Sequence, residues 1–357
     1  MADSFRVVAL IAAFNEGDII SPVIGHLVEN GIDVYLIDNH STDDTREQAS
    51  QWLNRGLFHI ETFPQSLACS DPPGCYDWTA ILHRKELLAR ELSADWFIHH
   101  DADEIREGPW PGLNLKEAIR WVDTLGFNCI NFRVLNFPPI DDGFNRGDDP
   151  RSYFIGFEDV RDFDQVQLKC WKGGKSPVCL VSSGGHEARF EGRRVCPIPF
   201  LLRHYPIRGQ THGARKVFRE RKGRFIESER SQGWHIQYDQ IRSEKHNFLA
   251  DPATLRPFNL DRARLELMLP EKVLRDLVDR LFRTEERLDN LRRENKDLEK
   301  QLADVTCELE EIGRELNALE RRHRGLEQEI MTLRNSRSWR WTAPLRRVFE
   351  MVPKSDE

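Results

Sequence analysis

The chain has 357 residues, 39% of them hydrophobic, and a formal net charge of −7 from 52 basic and 59 acidic residues. This size and composition support one sizeable α/β domain with an extension and do not support two full hydrophobic cores. The acidic balance and the lack of a known nucleic-acid-binding module argue against nucleic acid as a partner.

The first predicted strand is the apolar run from Val7 to Phe14, which is too short to span a membrane and suits a buried parallel strand. It breaks at a polar stretch that begins with Asn15 and Glu16. Apolar residues at helical spacing then predict a helix from Ile19 to Glu29, and the Asn-Gly pair that follows is a helix stop signal.

The second predicted strand, at 33–37, ends in another polar stretch, which begins with Asp38 and Asn39. The spacing of Ser41 and Asp44 resembles a capping arrangement and predicts a helix that reaches Arg55. The elements predicted after it are a strand at 57–62, a helix at 78–92 and a strand at 95–100.

The carboxylates of Asp101 and Asp103 follow this last strand and are separated by a single alanine. Mg²⁺ and Mn²⁺ are usually held by one or two protein carboxylates together with substrate phosphates. The pair therefore predicts a metal-diphosphate site, and the alternative is a solvated turn or a helix cap.

Strands that alternate with helices predict a parallel sheet with right-handed crossovers. Ligands of such sheets bind outside the carboxyl ends of the strands. Polar clusters that converge on this edge make a nucleotide-diphosphate site the preferred interpretation. The clusters are Asn15 with Glu16, Asp38 with Asn39, and Asp101 with Asp103.

With these clusters, residues 1–250 resemble a family 2 glycosyltransferase of the GT-A fold. The likeness is strongest before residue 105, where it rests on the segments 11–16, 36–45 and 95–104. Further along, the segment 204–208 with Arg215 and Lys216 resembles the bacterial branch of the family that carries an Asp-Ala-Asp-Glu signature.

The resemblance implies that Asp38 hydrogen-bonds the nucleotide base and that Asn15 and Glu16 line its pocket. It also implies that Asp101 and Asp103 hold Mn²⁺ or Mg²⁺ on the diphosphate of a nucleotide-sugar donor. His204 is a candidate third metal ligand by the same comparison, and its alternative is a packed structural histidine. Further candidates for donor binding are Arg84, Arg208 and Lys216.

The catalytic base has two candidates, because an inverting transfer needs a carboxylate or an imidazole to take the proton of the acceptor hydroxyl. Asp159 lies where such enzymes often carry an acidic base, although an ordinary helix or turn acid fits it equally. His186 competes because it follows two glycines, which permit close approach to a ligand, and because histidine exchanges protons near neutral pH.

The segment 203–230 contains nine basic and three acidic residues, a local excess of six positive charges in an acidic chain. This asymmetry predicts a surface that faces phosphate, either of the donor diphosphate or of a lipid-phosphate acceptor. The alternative is a solvated helix face. A proline-, aspartate- and glycine-rich stretch at 137–150 predicts a long loop that contacts the acceptor.

A heptad repeat without proline occupies 271–335 and predicts a long coiled coil. Asn295 at a core position favours a parallel homodimer, because the amide pairs with its own copy. The flanking charges disagree, since Arg280 would meet Glu285 favourably whereas other flanking pairs would repel. A different helix with complementary charges therefore stays open as the partner.

The segment 336–357 begins with tryptophans interleaved with arginines, which suits peripheral contact with the headgroups of a membrane. It resembles a tail that recurs on bacterial glycosyltransferases of surface glycans, and the alternative is packing on protein. Seven cysteines without Cys-x-x-Cys spacing, no signal peptide and no spanning segment predict a cytoplasmic protein with reduced thiols.

Together these observations predict an α/β fold of the GT-A type, with a mixed, mostly parallel sheet flanked by helices and followed by a long helical coiled coil. The predicted divisions are a catalytic domain at 1–260, the coiled coil at 271–335 and the tail at 336–357. The predicted function is metal-dependent transfer of a sugar to a glycan or lipid-linked acceptor in bacterial surface polysaccharide synthesis. The alternatives are a nucleotidyltransferase or phosphohydrolase that uses the same edge, and a non-catalytic coiled-coil scaffold.

Overall fold

A computed structural model describes residues 5–65, 76–159, 167–174, 176–221, 224, 229, 234, 241–243, 245–269 and 271–342. By its internal contacts the chain divides into two compact units, Met1–Leu274 and Arg275–Glu357. The first unit contains two β-sheets, and the second consists mainly of one long helix.

The first sheet has six strands in the order β3-β2-β1-β4-β9-β6. Its strands are β1 (Val7–Ala13), β2 (Asp33–Asp38), β3 (Leu57–Thr62), β4 (Trp96–Asp101), β6 (Cys129–Ile130) and β9 (Cys170–Lys172). The first four run parallel, and β9 and β6 add antiparallel pairings at one side. The predicted mixed, mostly parallel sheet is confirmed.

Both faces of this sheet are covered, which explains why its central strands are almost continuously apolar. Along β1, Val7, Ala9 and Ile11 join one buried cluster, whereas Val8 and Leu10 join a second cluster on the opposite face. The covering helices are α1 (Ile20–Glu29), α2 (Thr45–Ser50), α3 (Trp78–Glu91) and α4 (Leu115–Thr124).

The second sheet has five strands in the order β11-β8-β7-β10-β5. Its strands are β5 (Glu104–Glu107), β7 (Phe132–Asn136), β8 (Gly156–Asp159), β10 (Phe200–His204) and β11 (Arg256–Pro257). Because β4 ends at Asp101 and β5 begins at Glu104, the chain passes from the first sheet to the second within the Asp-Ala-Asp-Glu segment.

One predicted helix is shorter than expected, because α2 ends at Ser50 and does not reach Arg55. Asn54 and Gly56 take positive φ angles of 59° and 109°, which a continuing right-handed helix does not allow. The expected cap also differs: the backbone N–H of Thr45 donates to the Asp43 carboxylate at 3.0 Å.

Shorter helical elements connect the second sheet. They are α5 (Pro150–Tyr153), α6 (Gln210–Ala214), a π-helical turn at Arg215–Arg221 and α7 (Leu260–Met268). No regular element occurs at 137–149, as predicted for the long loop there. The first unit continues past residue 260, because Ala263 and Leu267 of α7 are buried in its main core cluster.

The long helix α8 (Glu271–Asn335) covers the predicted coiled coil, and a short helix α9 (Arg337–Trp341) follows it. Trp341 is 88% exposed, whereas the side chain of Trp339 and all residues from 343 onward lie outside the described part of the chain. Among the described residues, no helix has both the length and the apolar character needed to cross a bilayer.

Candidate functional site

The carboxyl ends of β1, β2 and β4 meet at one edge of the first sheet, as the sequence predicts. The register pairs Ala13 with Asp38 and Ala12 with Asp101, so these two carboxylates flank the end of β1. Asn15 and Glu16 follow directly, and both are buried. The three predicted polar clusters therefore converge, and together they are called the strand-end site below.

Asn15 holds the loop after β2 against the end of β1. It adopts a positive φ of 54°, and its Oδ1 accepts hydrogen bonds from the backbone N–H of Thr42 at 2.8 Å and of Asp43 at 3.3 Å. Asp38 accepts from the Ser41 N–H at 3.3 Å and is 4% exposed. Backbone donors of the loop thereby fix the side-chain oxygens of Asn15 and Asp38.

Asp101 is paired with a buried lysine. Lys169 Nζ lies 2.8 Å from Asp101 Oδ2 and 3.0 Å from Glu104 Oε1. Burial by itself raises the pKa of Asp101, but Lys169 and His99 lower it by more, so the pKa is well below its ordinary value. Asp101 is therefore a carboxylate anion at neutral pH, and its second oxygen lies 3.9 Å from His99 Nε2.

Asp103 is paired in the same way, with Lys216 Nζ at 2.9 Å from its Oδ2. Lys216 also lies 3.0 Å from Glu16 Oε1 and so joins the first and the third polar cluster. Asp103 is 9% exposed, so it is not the solvated turn residue considered as an alternative. Burial raises the pKa of Asp103, but Lys216 and His204 lower it by more, so this pKa lies below its ordinary value.

Arg208 closes the opposite side of Glu16. Its guanidinium lies 2.6 Å from Glu16 Oε2 and 2.7 Å from Asp18 Oδ1, and its side chain is fully buried. The pKa of Glu16 is about 2, because the lowering by Lys216 and Arg208 outweighs the raising by burial. Two basic residues of the segment 203–230, Arg208 and Lys216, therefore contact the strand-end site, whereas Lys222 and Arg230 lie outside the described residues.

His204 faces Asp103 in a geometry that fits a divalent cation. His204 Nε2 and Asp103 Oδ1 are 3.7 Å apart, and His204 Nδ1 lies 2.9 Å from Asn136 Oδ1. Because that oxygen only accepts, Nδ1 donates, and Nε2 is the ring nitrogen that faces the carboxylate. An imidazole nitrogen and a carboxylate oxygen are both ligands of divalent cations, and Asn136 orients the ring.

A second group of potential ligands consists of Glu16, Asp18 and His212, whose ligand atoms lie within 4.8 Å of one another. Among the described residues it is the one set of three within that reach, so Asp101, Asp103 and His204 do not form such a set. His212 Nδ1 accepts the Arg208 N–H at 3.1 Å, which leaves the proton of the neutral ring on Nε2. Arg208 already supplies the cation between these carboxylates, so this group fits a metal poorly.

The two candidate bases occupy different positions. Asp159 is the last residue of β8 in the second sheet, and its side chain lies outside the described part of the structure. His186 is exposed, and its Nδ1 lies 2.9 Å from Gln167 Nε2. Gly185 before it takes a positive φ of 93° and approaches His99, the residue two places before Asp101.

Arg84 differs from the other donor-binding candidates, because its guanidinium is engaged away from the three clusters. It lies 2.9 Å from Glu61 Oε1 in β3 and 3.0 Å from Glu91 Oε2 in its own helix α3. The ion pair with Glu61 links α3 to the sheet, so Arg84 has a structural role in the fold.

Several buried polar residues of this region are absent from the sequence predictions. Lys85 is fully buried with Nζ 2.9 Å from His99 Nδ1, and Lys169 and Asn136 contact the site as described above. Asn136 is a polar residue at the end of an apolar strand, much as Asn15 follows one, so the pattern that identified Asn15 could also have identified Asn136. Lys85 and Lys169 carry no such signal, because their partners are distant in sequence.

No protein-family model and no curated protein matches the chain. Among solved structures, it is similar to S. aureus TarS 1–349 in complex with UDP, with a TM-score of 0.30 and 13% identity over 47% of each chain. It is also similar to glucosyl-3-phosphoglycerate synthase from Mycobacterium tuberculosis in complex with Mn²⁺, UDP and glucosyl-3-phosphoglycerate, with a TM-score of 0.25 and 21% identity.

That second match covers 37% of this chain and 44% of the synthase. The same synthase in complex with UDP matches with a TM-score of 0.24 and 23% identity, over 38% of this chain and 45% of the synthase. The chain thus spans less than half the length of each of these solved structures.

Proposed function

We propose that the first unit is a metal-dependent glycosyltransferase of the GT-A fold that uses a nucleoside diphosphate sugar as its donor. The observation that carries the proposal is the convergence of three polar clusters and two buried cations, Lys216 and Arg208, at the carboxyl ends of parallel strands. Open α/β sheets bind their ligands at this edge, and fixed cations there suit phosphate oxygens.

The donor would lie with its base against the loop after β2, where Asp38 accepts hydrogen bonds and Asn15 and Glu16 shape the pocket. Its diphosphate would lie beside Lys216 and Arg208, each of which is ion-paired with buried carboxylates. Arg84 would also bind the donor, by exchanging its present ion pairs for contacts with the ligand.

Asp103 and His204 would hold Mn²⁺ or Mg²⁺, and Asp101 would add its remaining carboxylate oxygen. The ion would supply charge for the departing diphosphate. In the transfer, the acceptor hydroxyl oxygen forms a bond to the anomeric carbon and the bond from that carbon to the diphosphate breaks. The hydroxyl proton passes to Asp159 or to His186, which are the two candidates for the base.

The acceptor is proposed to be a glycan or a lipid-linked sugar of a bacterial surface polysaccharide, used at the cytoplasmic side. Its contact would be the loop at 137–149, which is tied to the strand-end site by ion pairing of Arg146 with Asp44 at 2.7 Å. Thr211 also donates to Asp142 of this loop at 2.6 Å. The tail after α8 would add peripheral membrane contact, and α8 itself would pair with another helix.

The test is a thermal-shift screen of nucleoside diphosphate sugars with Mn²⁺, followed by transfer to candidate acceptors. We expect a donor to stabilise the wild type only when Mn²⁺ is present, and Asp103→Asn to remove this metal dependence and abolish transfer. Asp261→Asn, at an exposed carboxylate in the first turn of α7, is the matched control and should behave as the wild type.

Other outcomes would favour the alternative functions. Release of nucleotide without sugar transfer to any acceptor would indicate a nucleotidyltransferase or a phosphohydrolase. A protein that binds neither Mn²⁺ nor any nucleotide would indicate a scaffold in which the long helix carries the function.

A further inference from the structure

The long helix α8 carries a series of exposed apolar residues at heptad spacing, interrupted between Leu288 and Leu333 by Asn295 and His323 at core positions. Twelve of them, from Leu288 to Leu333, are between 47% and 68% exposed. They are Leu288, Leu302, Leu309, Leu316 and Ile330 at heptad position a, and Leu291, Leu298, Val305, Ile312, Leu319, Leu326 and Leu333 at position d. This set is called the heptad stripe below. A stripe of this length is covered only by another helix of similar length.

We propose that the heptad stripe is covered by the same stripe of a second copy of this chain, in a parallel, two-stranded, in-register coiled coil. The proposal goes beyond the catalytic function, because the stripe and the strand-end site share no residue. Two independent features of α8 favour this partner and this direction: Asn295 at a core position, and the charged residues on either side of the stripe.

The polar residue is Asn295, which occupies a core position between leucines. Within one chain its Nδ2 donates to Glu299 Oε1 at 3.2 Å. A parallel partner in register places Asn295 opposite its own copy, where the two amides hydrogen-bond each other and disfavour other registers and higher oligomers. An antiparallel partner with full overlap places Asn295 opposite Ile312, which leaves the amide without a partner.

The flanking charges are less repulsive in the parallel direction than in the antiparallel direction. In a parallel pair, position g of one helix faces position e of the next heptad on the other. The attractive pairs are Arg280 with Glu285, Arg322 with Glu327, and Glu329 with Arg334. The repulsive pairs are Arg287 with Arg292, Glu294 with Glu299, and Glu315 with Glu320. Attraction and repulsion are thus balanced.

The antiparallel direction is electrostatically worse, because g then faces g and e faces e. With full overlap the attractive pairs are Arg280 with Glu329 and Glu271 with Arg334. The repulsive pairs are Arg287 with Arg322, Glu294 with Glu315, and Glu285 with Glu320. Repulsion outnumbers attraction in this direction, so the charges and Asn295 select the same parallel arrangement.

The orientation of the two helices determines which segments of the two chains emerge at each end of the coiled coil. In a parallel pair both catalytic units are attached at the amino-terminal end of the coiled coil, and both tails emerge at its carboxyl-terminal end. An antiparallel pair would place one catalytic unit and one tail at each end. In the parallel direction the two tails could therefore contact the same membrane surface together, as proposed above for one tail.

Cysteine cross-linking of the full chain tests the direction. Each variant carries Cys307→Ser to remove the exposed cysteine of the helix. Under mild oxidation, Leu298→Cys and Leu309→Cys should each form a disulfide-linked dimer, since each position faces its own copy. Ala303→Cys, which points away from the stripe at position b, is the control and should stay uncross-linked.

Mixing the Leu298→Cys and Leu309→Cys chains, which carry tags of different mass, separates the two directions. A parallel pair yields only dimers of like chains, whereas an antiparallel pair yields the mixed dimer, because residue 298 then faces 309. A mixed product in place of the like-chain products would overturn the proposed direction.

Light scattering of the full chain tests the second copy itself. We expect twice the chain mass for the wild type, the mass of one chain for Leu302→Asp with Leu309→Asp, and twice the chain mass for the control pair Ala303→Asp with Asn317→Asp. The control carries the same added charge outside the stripe. A wild type with the mass of one chain or of three chains, or a control that dissociates as the stripe variant does, would overturn the proposal.

Discussion

At the scale of single residues, the carboxylates at the strand-end site are matched by buried cations. Asp101 and Glu104 share Lys169, and Asp103 and Glu16 share Lys216. Removing one partner of a buried ion pair leaves a charge that neither water nor protein solvates, which typically costs about 3–5 kcal/mol. The site is therefore sensitive to changes in either partner.

Asp38 should contribute to nucleotide binding through its fixed carboxylate. We expect Asp38→Ala to weaken binding of the donor nucleotide by about 1–3 kcal/mol, the usual range for losing a hydrogen bond to a charged group. Asp33→Ala is the control, since Asp33 begins the same strand β2 and pairs with Arg6. Calorimetry measures both variants. If Asp38→Ala binds as tightly as the control, the base pocket lies elsewhere.

Lys85 should make stability depend on pH. Burial lowers its pKa to about 7, although the carboxylate of Asp101 opposes the shift. An unfolded lysine has a pKa of about 10.4, so between about 7 and 10.4 the unfolded state binds more protons and the free energy of unfolding rises with pH. At lower pH the folded state holds a buried ammonium and loses this stability.

Urea denaturation at pH 6.5 and at pH 9.5 measures this effect, with Lys85→Met as the reference that cannot titrate. The wild type should gain stability relative to Lys85→Met as the pH rises, by about 3 kcal/mol or less across this interval. A difference between the two proteins that does not change with pH would contradict the neutral state of Lys85.

At the scale of elements, the turn at Gly184 and Gly185 packs closely against β4. A Cβ at Gly185 would lie 2.9 Å from His99 Nε2 and 3.1 Å from Leu82 Cδ2. The turn therefore requires glycine for two reasons, the positive φ and the space. His186 depends on the same turn for its position.

Gly185→Ala and Gly192→Ala form a matched pair that separates these two reasons. Gly192 also has a positive φ, of 70°, but no atom lies within 4 Å of its added Cβ. We expect Gly192→Ala to cost about 1–2 kcal/mol for the backbone alone, and Gly185→Ala to cost about 1–3 kcal/mol more for the crowding of His99 and Leu82. Equal losses in urea denaturation would show that the turn relaxes away from β4.

At the scale of the whole molecule, the boundary between the two units lies after α7. This helix buries Ala263 and Leu267, and Glu266 pairs with Arg133 of β7 at 3.3 Å and with Arg262 at 3.1 Å. A chain that stops at 260 would lose these contacts. The first unit should therefore need the residues up to 274 to fold.

Two truncations test this boundary. The chain 1–274 should be a soluble monomer that binds donor as the full chain does, because the heptad stripe and the strand-end site share no residue. The chain 1–258 should unfold at lower urea concentration or fail to express in soluble form, since burying Ala263 and Leu267 contributes about 1–4 kcal/mol. Equal stability of the two truncations would show that α7 is not part of the fold of the first unit.

The sequence by itself determined the features that depend on local periodicity. The bounds of β3, the start and end of α8, and the convergence of Asp38 and Asp101 on one edge all follow from apolar spacing and from the rule that parallel strands end together. The tertiary structure decided which cation meets which carboxylate. Lys169 and Lys216 are distant in sequence from Asp101 and Asp103, so only the strand register and the path of the chain between the two sheets bring them together.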